Sequence, residues 1–322
     1  MPLPSFFPNL ACQQKYRSQL VNRKVIIGRV IDFGFLRSIK FTYLARFRAF
    51  GWSRYLSMNR GVYQDIVRMF YANIHVPNCD SEWHEEFSTY VLGTSFHITT
   101  SVLSLHLGLS DKGEEYPTSF DKLQACREIF KDPSIKKVNK NAAELGPYER
   151  ILHLITINPR SGKFNVITGE DLWLMWKILS YEPPNLCHYM LNEMVTLSSS
   201  MVNHLKYGMA ISEILDQLNV YVLGKDPVFS SPQSYLTYRS LKQLKYSYVG
   251  DELEKLPGGG IISEKENSIY VPHPSSSRAV PSSGFNEQIA SLSSQLDELK
   301  IQGHALSSQM KISFEQLLAR KE

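Results

Sequence analysis

Cysteine is scarce in this chain, with Cys12, Cys79, Cys126 and Cys187 the only four in 322 residues. Their wide and irregular spacing matches no disulfide framework, which points to a reducing compartment. Long apolar runs are missing as well. The longest are stretches such as Leu172-Trp173-Leu174-Met175-Trp176, whereas a membrane span needs about 20 predominantly apolar residues. No membrane partner is expected. The opening Met1-Pro2-Leu3-Pro4-Ser5-Phe6-Phe7-Pro8 has no charged n-region and is cut by prolines, so a secretory signal is not expected either. These absences together describe an intracellular protein, nuclear or cytoplasmic.

Acidic residues are almost absent from the first sixty positions. That stretch holds eleven of the 35 basic residues but only one of the 31 acids, Asp32, so it carries +10 and the remainder −6. Three readings fit: contact with a polyanion, a solvated face that pairs with the acidic remainder, or an Arg-rich organelle transit segment. Phe41 to Trp52 interleaves rings (Phe41, Tyr43, Phe47, Phe50, Trp52) with Arg46 and Arg48. Arg46, Arg48 and Arg54, with Arg23 and Lys24 upstream, are the candidate nucleic-acid contacts, because arginines neutralise phosphates while rings stack on bases. The competing reading puts the rings in the core with the arginines covering them.

The motifs of common chemistries are also missing. There is no G-x-G-x-x-G or G-x-x-x-x-G-K-[ST], and Gly258-Gly259-Gly260 follows no strand. No C-x-x-C, H-E-x-x-H or Cys/His knuckle occurs among the nine histidines and four cysteines, so neither metal nor cofactor is expected. Ser95 and Ser161 lack the G-x-S-x-G frame. One enzyme-like hint is Asp32, in the β-like run Val30-Ile31-Asp32-Phe33-Gly34. A two-metal nuclease places a carboxylate so, but it needs further carboxylates on adjacent strands, and none is evident.

What is present is mostly helical patterning. Val25 to Phe35 reads as a short strand or extended segment. Asn59 caps a helix with Val62, Ile66, Met69 and Phe70 on one face, ending near Pro77. Phe87 to Ile98 predicts a hairpin around Gly93-Thr94-Ser95. Thr99 or Thr100 then caps a short helix closed by Gly108. Further helices are expected from Ser119 to about Lys131 (Phe120, Leu123 and Phe130 inward), from Tyr148 to Ile157, after the capping box that Thr168 and Asp171 form, and after Asn185. The last carries a stripe of Leu186, Met190, Met194, Leu197 and Met201, and Ile211 to Leu218 supplies one more. Pro227, Ser230, Ser231 and Pro232 read as a linker. Tyr235, Tyr238, Leu241, Leu244 and Tyr248 suggest one amphipathic helix, and the Ser-, Pro- and Gly-rich text to Gly284 reads as disordered. Phe285, Ile289, Leu292, Leu296, Leu299, Gly303, Leu306 and Met310 alternate spacings of four and three, the a/d seam of a short coiled coil. Gly303 weakens it by about 1 kcal/mol relative to alanine. Such a helix needs a partner. Self-association through Ile289, Leu292, Leu296, Leu299, Leu306 and Met310 is one option and docking onto the chain's own body the other.

Several blocks, in order, resemble the family called putative plant transposon protein domain, retrotransposon-associated proteins of plants. They are Gly51-Trp52; Val62-Tyr63-Gln64-Asp65-Ile66-Val67-Arg68-Met69-Phe70-Tyr71-Ala72-Asn73; Leu92-Gly93-Thr94-Ser95-Phe96-His97-Ile98; Arg150-Ile151-Leu152-His153-Leu154-Ile155; Pro159-Arg160-Ser161-Gly162; Glu170-Asp171-Leu172; and Leu205-Lys206-Tyr207-Gly208-Met209. The resemblance spans about residues 25–222 and implies descent from a mobile element. It brings no catalytic residues with it.

The expected architecture is therefore mainly α: a basic N-terminal arm (1–24), a helical domain with a small β-hairpin (25–224), a largely disordered linker with one helix (225–284) and a C-terminal coiled coil (285–320). The expected function is non-enzymatic and mobile-element-derived, with self-association and nucleic-acid contact. The alternatives are a metal-dependent nuclease or transposase built on Asp32, and a degenerate domesticated protein-interaction module.

Overall fold

Apolar residues that recur every three to four positions, punctuated by side chains able to cap, produce a chain of short helices. The computed structural model describes residues 6–77, 83–117, 119–138, 141–156, 165–201, 204–220, 226–231, 235–244, 246–249 and 252–255. Helix α1 (Leu10–Lys15) runs into a π turn (Tyr16–Leu20), followed by strand β1 (Val30–Ile31) and helices α2 (Phe33–Ser38), α3 (Leu44–Ala49), α4 (Ser53–Leu56) and α5 (Gln64–Ala72). The hairpin β2 (Glu86–Val91) and β3 (Thr94–Thr99) leads into α6 (Thr100–Leu107) and α7 (Lys122–Phe130). Then come α8 (Pro147–Thr156), α9 (Gly169–Ser180), α10 (Leu186–Ser199) and α11 (Gly208–Gln217). Last are β4 (Tyr235–Leu236), α12 (Tyr238–Gln243) and a second hairpin, β5 (Tyr246–Val249) with β6 (Glu252–Lys255). The fold is mainly α. Among the described residues no helix is long and apolar enough to cross a membrane.

The core centres on α8 and α10, which are buried around nearly their whole circumference, their polar residues included. Trp173 of α9 and Phe70 and Tyr71 of α5 lie fully inside with them. Some of the polar groups caught there are paired, whereas Trp173 Nε1 and His188 Nδ1 have no hydrogen-bond partner among the described residues. Arg150 meets the Nδ1 of His153 at 3.1 Å and donates to Asn165 Oδ1 at 3.0 Å, and Thr156 donates to the His153 carbonyl. Unpaired, each would cost about 1–3 kcal/mol.

Local signals land where spacing places them. Thr168 Oγ1 accepts from Asp171 N–H at 3.2 Å while the Asp171 carboxylate accepts from Thr168 N–H at 2.9 Å, closing the capping box of α9. Thr99 caps α6, Gly108 closes it at φ 67°, and Asn185 caps α10 through the His188 N–H. The β2–β3 hairpin forms in the register Phe87↔Ile98 and Thr89↔Phe96. Its turn is Leu92-Gly93, both residues at positive φ as a two-residue turn between twisted strands requires.

Other expectations are corrected. The described part of the expected arm, from residue 6, reaches the body: Leu20 is fully buried and the Arg23 side chain is bound to the end of α10. Asn59 does not cap α5; its amide donates to the Tyr235 hydroxyl at 2.7 Å, and Val62 pairs with Val228 instead of entering the helix. Asp121 caps α7, because its carboxylate reaches the Leu123 and Gln124 N–H groups. The face of α7 buried most deeply is then Ala125, Cys126 and Ile129, with Leu123 and Phe130 half-buried. Met201 lies beyond the end of α10 and is 71% exposed.

The largest correction concerns the expected linker from residue 225. Its described part belongs to the body. Val62 and Val228 exchange backbone hydrogen bonds at 2.8 and 3.0 Å, β4 pairs in parallel with β1, and Leu236, Leu241, Tyr246 and Leu253 are buried. The single helix expected there is a strand, a short helix and a hairpin. Strand β4 takes up backbone groups of the two-residue β1, while the Tyr246 hydroxyl donates to the Leu145 carbonyl at 3.0 Å and Leu253 lies beside the start of α8. Residues 256–284, and the seam residues Ile289, Leu292, Leu296, Leu299, Leu306 and Met310, lie outside the described residues.

Candidate nucleic-acid interface

The aromatic–basic stretch from Phe41 to Trp52 folds around the short helix α3 and into α4, and its rings turn inward. Phe41, Tyr43, Phe47, Phe50 and Trp52 are each at most 7% exposed and pack on one another, with Phe41–Phe47 and Phe47–Trp52 centroids 6.1 and 5.8 Å apart. No face of these rings is open for a base to stack on.

With the rings buried, the arginines diverge. Arg46 crosses to the C-terminus of α9, donates to the carbonyls of Ile178 and Leu179 (2.6 Å to the latter), and lies over Tyr43 and Tyr181. Arg23 does the same for α10, donating to Leu197 O at 3.2 Å and Ser200 O at 2.6 Å. Both satisfy carbonyls that a helix end leaves unpaired. Lys24 is exposed; its backbone carbonyl receives the Leu205 N–H at 2.9 Å.

Arg48 and Arg54 come together. They line an open cleft of about 590 Å³ between β1, the start of α2, α3, α4 and β4, with Ser53, Ser57 and Tyr235 as further polar groups. Both arginines are exposed, Arg54 with 55% of its side chain in solvent even though its guanidinium meets Glu213 at 3.3 Å. Asp32 lines the same cleft, but its Oδ1 caps α2 by accepting from Gly34 and Phe35 N–H at 2.7 and 3.1 Å. Among the described residues no group of three or more His, Cys, Asp or Glu side chains could hold a metal ion. Ser53 and Ser57 were legible as an i, i+4 pair around Arg54. Tyr235, 181 positions away from Arg54, carried no signal at all.

Behind the cleft Glu213 anchors a small charge network. It bonds Arg60 and Arg54 and accepts from Gln217, while Arg60 reaches Asp216 at 2.6 Å. Burial by itself would raise the Glu213 carboxyl, but the hydrogen bonds from Arg60, Gln217 and Arg54 outweigh it and hold the group below its ordinary 4.5. A folded value below the unfolded one means stabilisation that is complete above about pH 4.5 and lost as pH falls through the folded value. Urea midpoints followed from neutral pH downward should fall in that acid range, and Glu213→Gln should flatten the fall. An unchanged acid limb in the variant would show that Glu213 is not its source.

The described residues thus form a mainly helical domain that carries an open, basic cleft. The family model of the putative plant retrotransposon-related domain matches residues 48–221, more than half of the chain, and the chain belongs to that family. No curated protein and no solved structure matches it.

Proposed function

We propose that this mobile-element-derived protein is non-enzymatic and holds nucleic acid by its sugar–phosphate backbone, with the 285–310 seam gathering copies along the polymer. The observation that carries the reading is the pairing of exposed Arg48 and Arg54 on one open cleft with hydroxyl donors, while every ring of the same stretch is buried. Guanidinium and hydroxyl groups contact phosphate without reading sequence. The rings of residues 41–52 are buried and give no stacking platform, so the half-buried Phe33 and Tyr235 are the rings that line the cleft, fewer than a single-strand groove uses. Linked copies would raise the effective concentration of such weak contacts on a long polyanion.

The test is a titration of labelled single- and double-stranded DNA and RNA with the full chain at several salt concentrations. Removing one phosphate-neutralising side chain lowers the salt slope on B-form DNA by about 0.9, so the Arg48→Ala, Arg54→Ala double variant should lower it by close to two. Arg54 also meets Glu213, which Arg60 still pairs in the variant, so its melting temperature should fall only slightly. An unchanged slope would dismiss the cleft as the point of attachment. Divalent-metal-dependent cleavage that disappears in Asp32→Asn would replace the reading with the nuclease class. Neither binding nor cleavage would leave a protein-interaction module.

A further inference from the structure

A second pocket, away from the arginine cleft, contains a buried charge. It measures about 330 Å³ and is lined by Ile129, Phe130 and Lys131 at the end of α7, by Gly146 to Glu149 at the start of α8, and by Leu253 of β6. Only 3% of the Glu149 side chain is exposed. Its Oε1 accepts from the Tyr43 hydroxyl at 2.6 Å and pairs with Lys131 Nζ at 2.8 Å. Its Oε2 sits over Gly146, where a Cβ would come within 2.5 Å of that oxygen. Glycine at 146 is what allows the carboxylate to lie along the pocket wall.

A carboxylate offers about four acceptor sites. Both partners of Glu149 among the described residues stand on Oε1, so Oε2 keeps acceptor capacity next to the pocket. Lys131, 68% exposed, is a long flexible cation at the mouth and can swing into solvent at little cost. The remaining wall is apolar and aromatic, from Phe130, Pro147, Tyr148 and Leu253. A buried anion, an apolar wall and a volume at the lower end of the small-ligand range select a compact organic cation.

We propose that this pocket binds an alkylammonium or guanidinium group, anchored on Glu149 Oε2, with Lys131 as the internal cation the ligand displaces. The group could arrive on a free amine or on a basic side chain of a peptide, and the probes separate the two. Butylammonium, butylguanidinium and an end-blocked Gly-Arg-Gly peptide would be titrated into the full chain by NMR or calorimetry, with butanol as the neutral control. Saturable binding of the cations and none of butanol is the expected result. Binding of the free cations without the peptide assigns a small-molecule site, and binding of both assigns a side-chain site.

Lys131→Ala removes the competitor and should tighten binding roughly two- to fivefold, the size of an exposed ion pair's contribution. Glu149→Gln keeps the shape and the acceptor for Tyr43, and should weaken binding roughly tenfold or more. If Glu149→Gln does not fold, the Lys131→Ala arm decides by itself. No saturable binding in either the parent or Lys131→Ala, an unchanged affinity in Lys131→Ala, or full affinity in a folded Glu149→Gln would each overturn the assignment.

Discussion

Arg46→Ala should lower the stability of the domain by at least about 3 kcal/mol, since each hydrogen bond from a charged group is worth about 1.5–3 kcal/mol and the substitution removes two. Those bonds go to the carbonyls of Ile178 and Leu179 at the end of α9, where Tyr181 turns left-handed at φ 61° and the chain leaves the helix. The guanidinium also lies 5.0 Å from the Tyr43 ring centroid and 5.8 Å from that of Tyr181. Its positive charge faces the negative end of the helix dipole. At about 2–4 °C per kcal/mol for a domain of this size, the melting temperature should drop by roughly 6–12 °C. Arg46→Lys should recover only part of this, because an ammonium has no planar face to lie over the Tyr43 and Tyr181 rings. The salt slope of nucleic-acid binding should stay that of the parent. A stable Arg46→Ala protein with a reduced slope would return Arg46 to the interface and take it out of the frame.

Gly113→Ala should cost roughly 4 kcal/mol, from about 1–3 kcal/mol of backbone strain and about 1–3 kcal/mol of overpacking. Gly113 has φ 124°, a conformation that residues with a side chain rarely adopt, and its Cβ would stand 2.4 Å from the Pro183 carbonyl oxygen. The atoms it would strike are all backbone, of Pro183, Pro184 and Asn185, so none can rotate aside. The close approach serves a purpose. Glu114 N–H donates to Pro183 O at 2.9 Å and Asn185 N–H donates to Glu114 O at 2.7 Å, which ties the loop after α6 to the start of α10. Asn185, the cap of α10, also donates to Asp111 O from its side chain. Urea unfolding would measure the loss, and a variant within about 0.5 kcal/mol of the parent, the ordinary range for a surface change, would show that the loop moves aside freely.

Much of the helical layout was legible because its signals act within one turn. The Thr168–Asp171 box, the Thr99 and Asn185 caps and the Gly108 stop each satisfy backbone groups two to four residues away, so spacing alone predicts them. The hairpin was legible for the same reason, although its turn sits one residue earlier than Gly93-Thr94-Ser95 suggested. Asn59 failed as a cap, and the helix expected from Ser119 begins later, because a competing partner (Tyr235) and a better-placed capping carboxylate (Asp121) were available.

The candidate interface was only half legible. Composition marked five basic residues, and the fold brings two of them, Arg48 and Arg54, to one cleft while Arg46 and Arg23 close helix ends. An arginine's five donors suit a phosphate and a helix C-terminus equally well, so no pattern along the chain separates the two uses. The pocket around Glu149 was not legible at all, because Tyr43 lies 106 positions from it and Lys131 belongs to a different helix end.

Periodicity, capping chemistry and the block order by themselves made this a mainly helical member of a retrotransposon-related family. Which charges face solvent, which rings are buried and where the described residues between 226 and 255 return to the body depended on contacts between distant segments. Such contacts are chosen by burial, which is non-directional and acts on the whole chain at once, whereas a cap acts through hydrogen bonds that span a few residues.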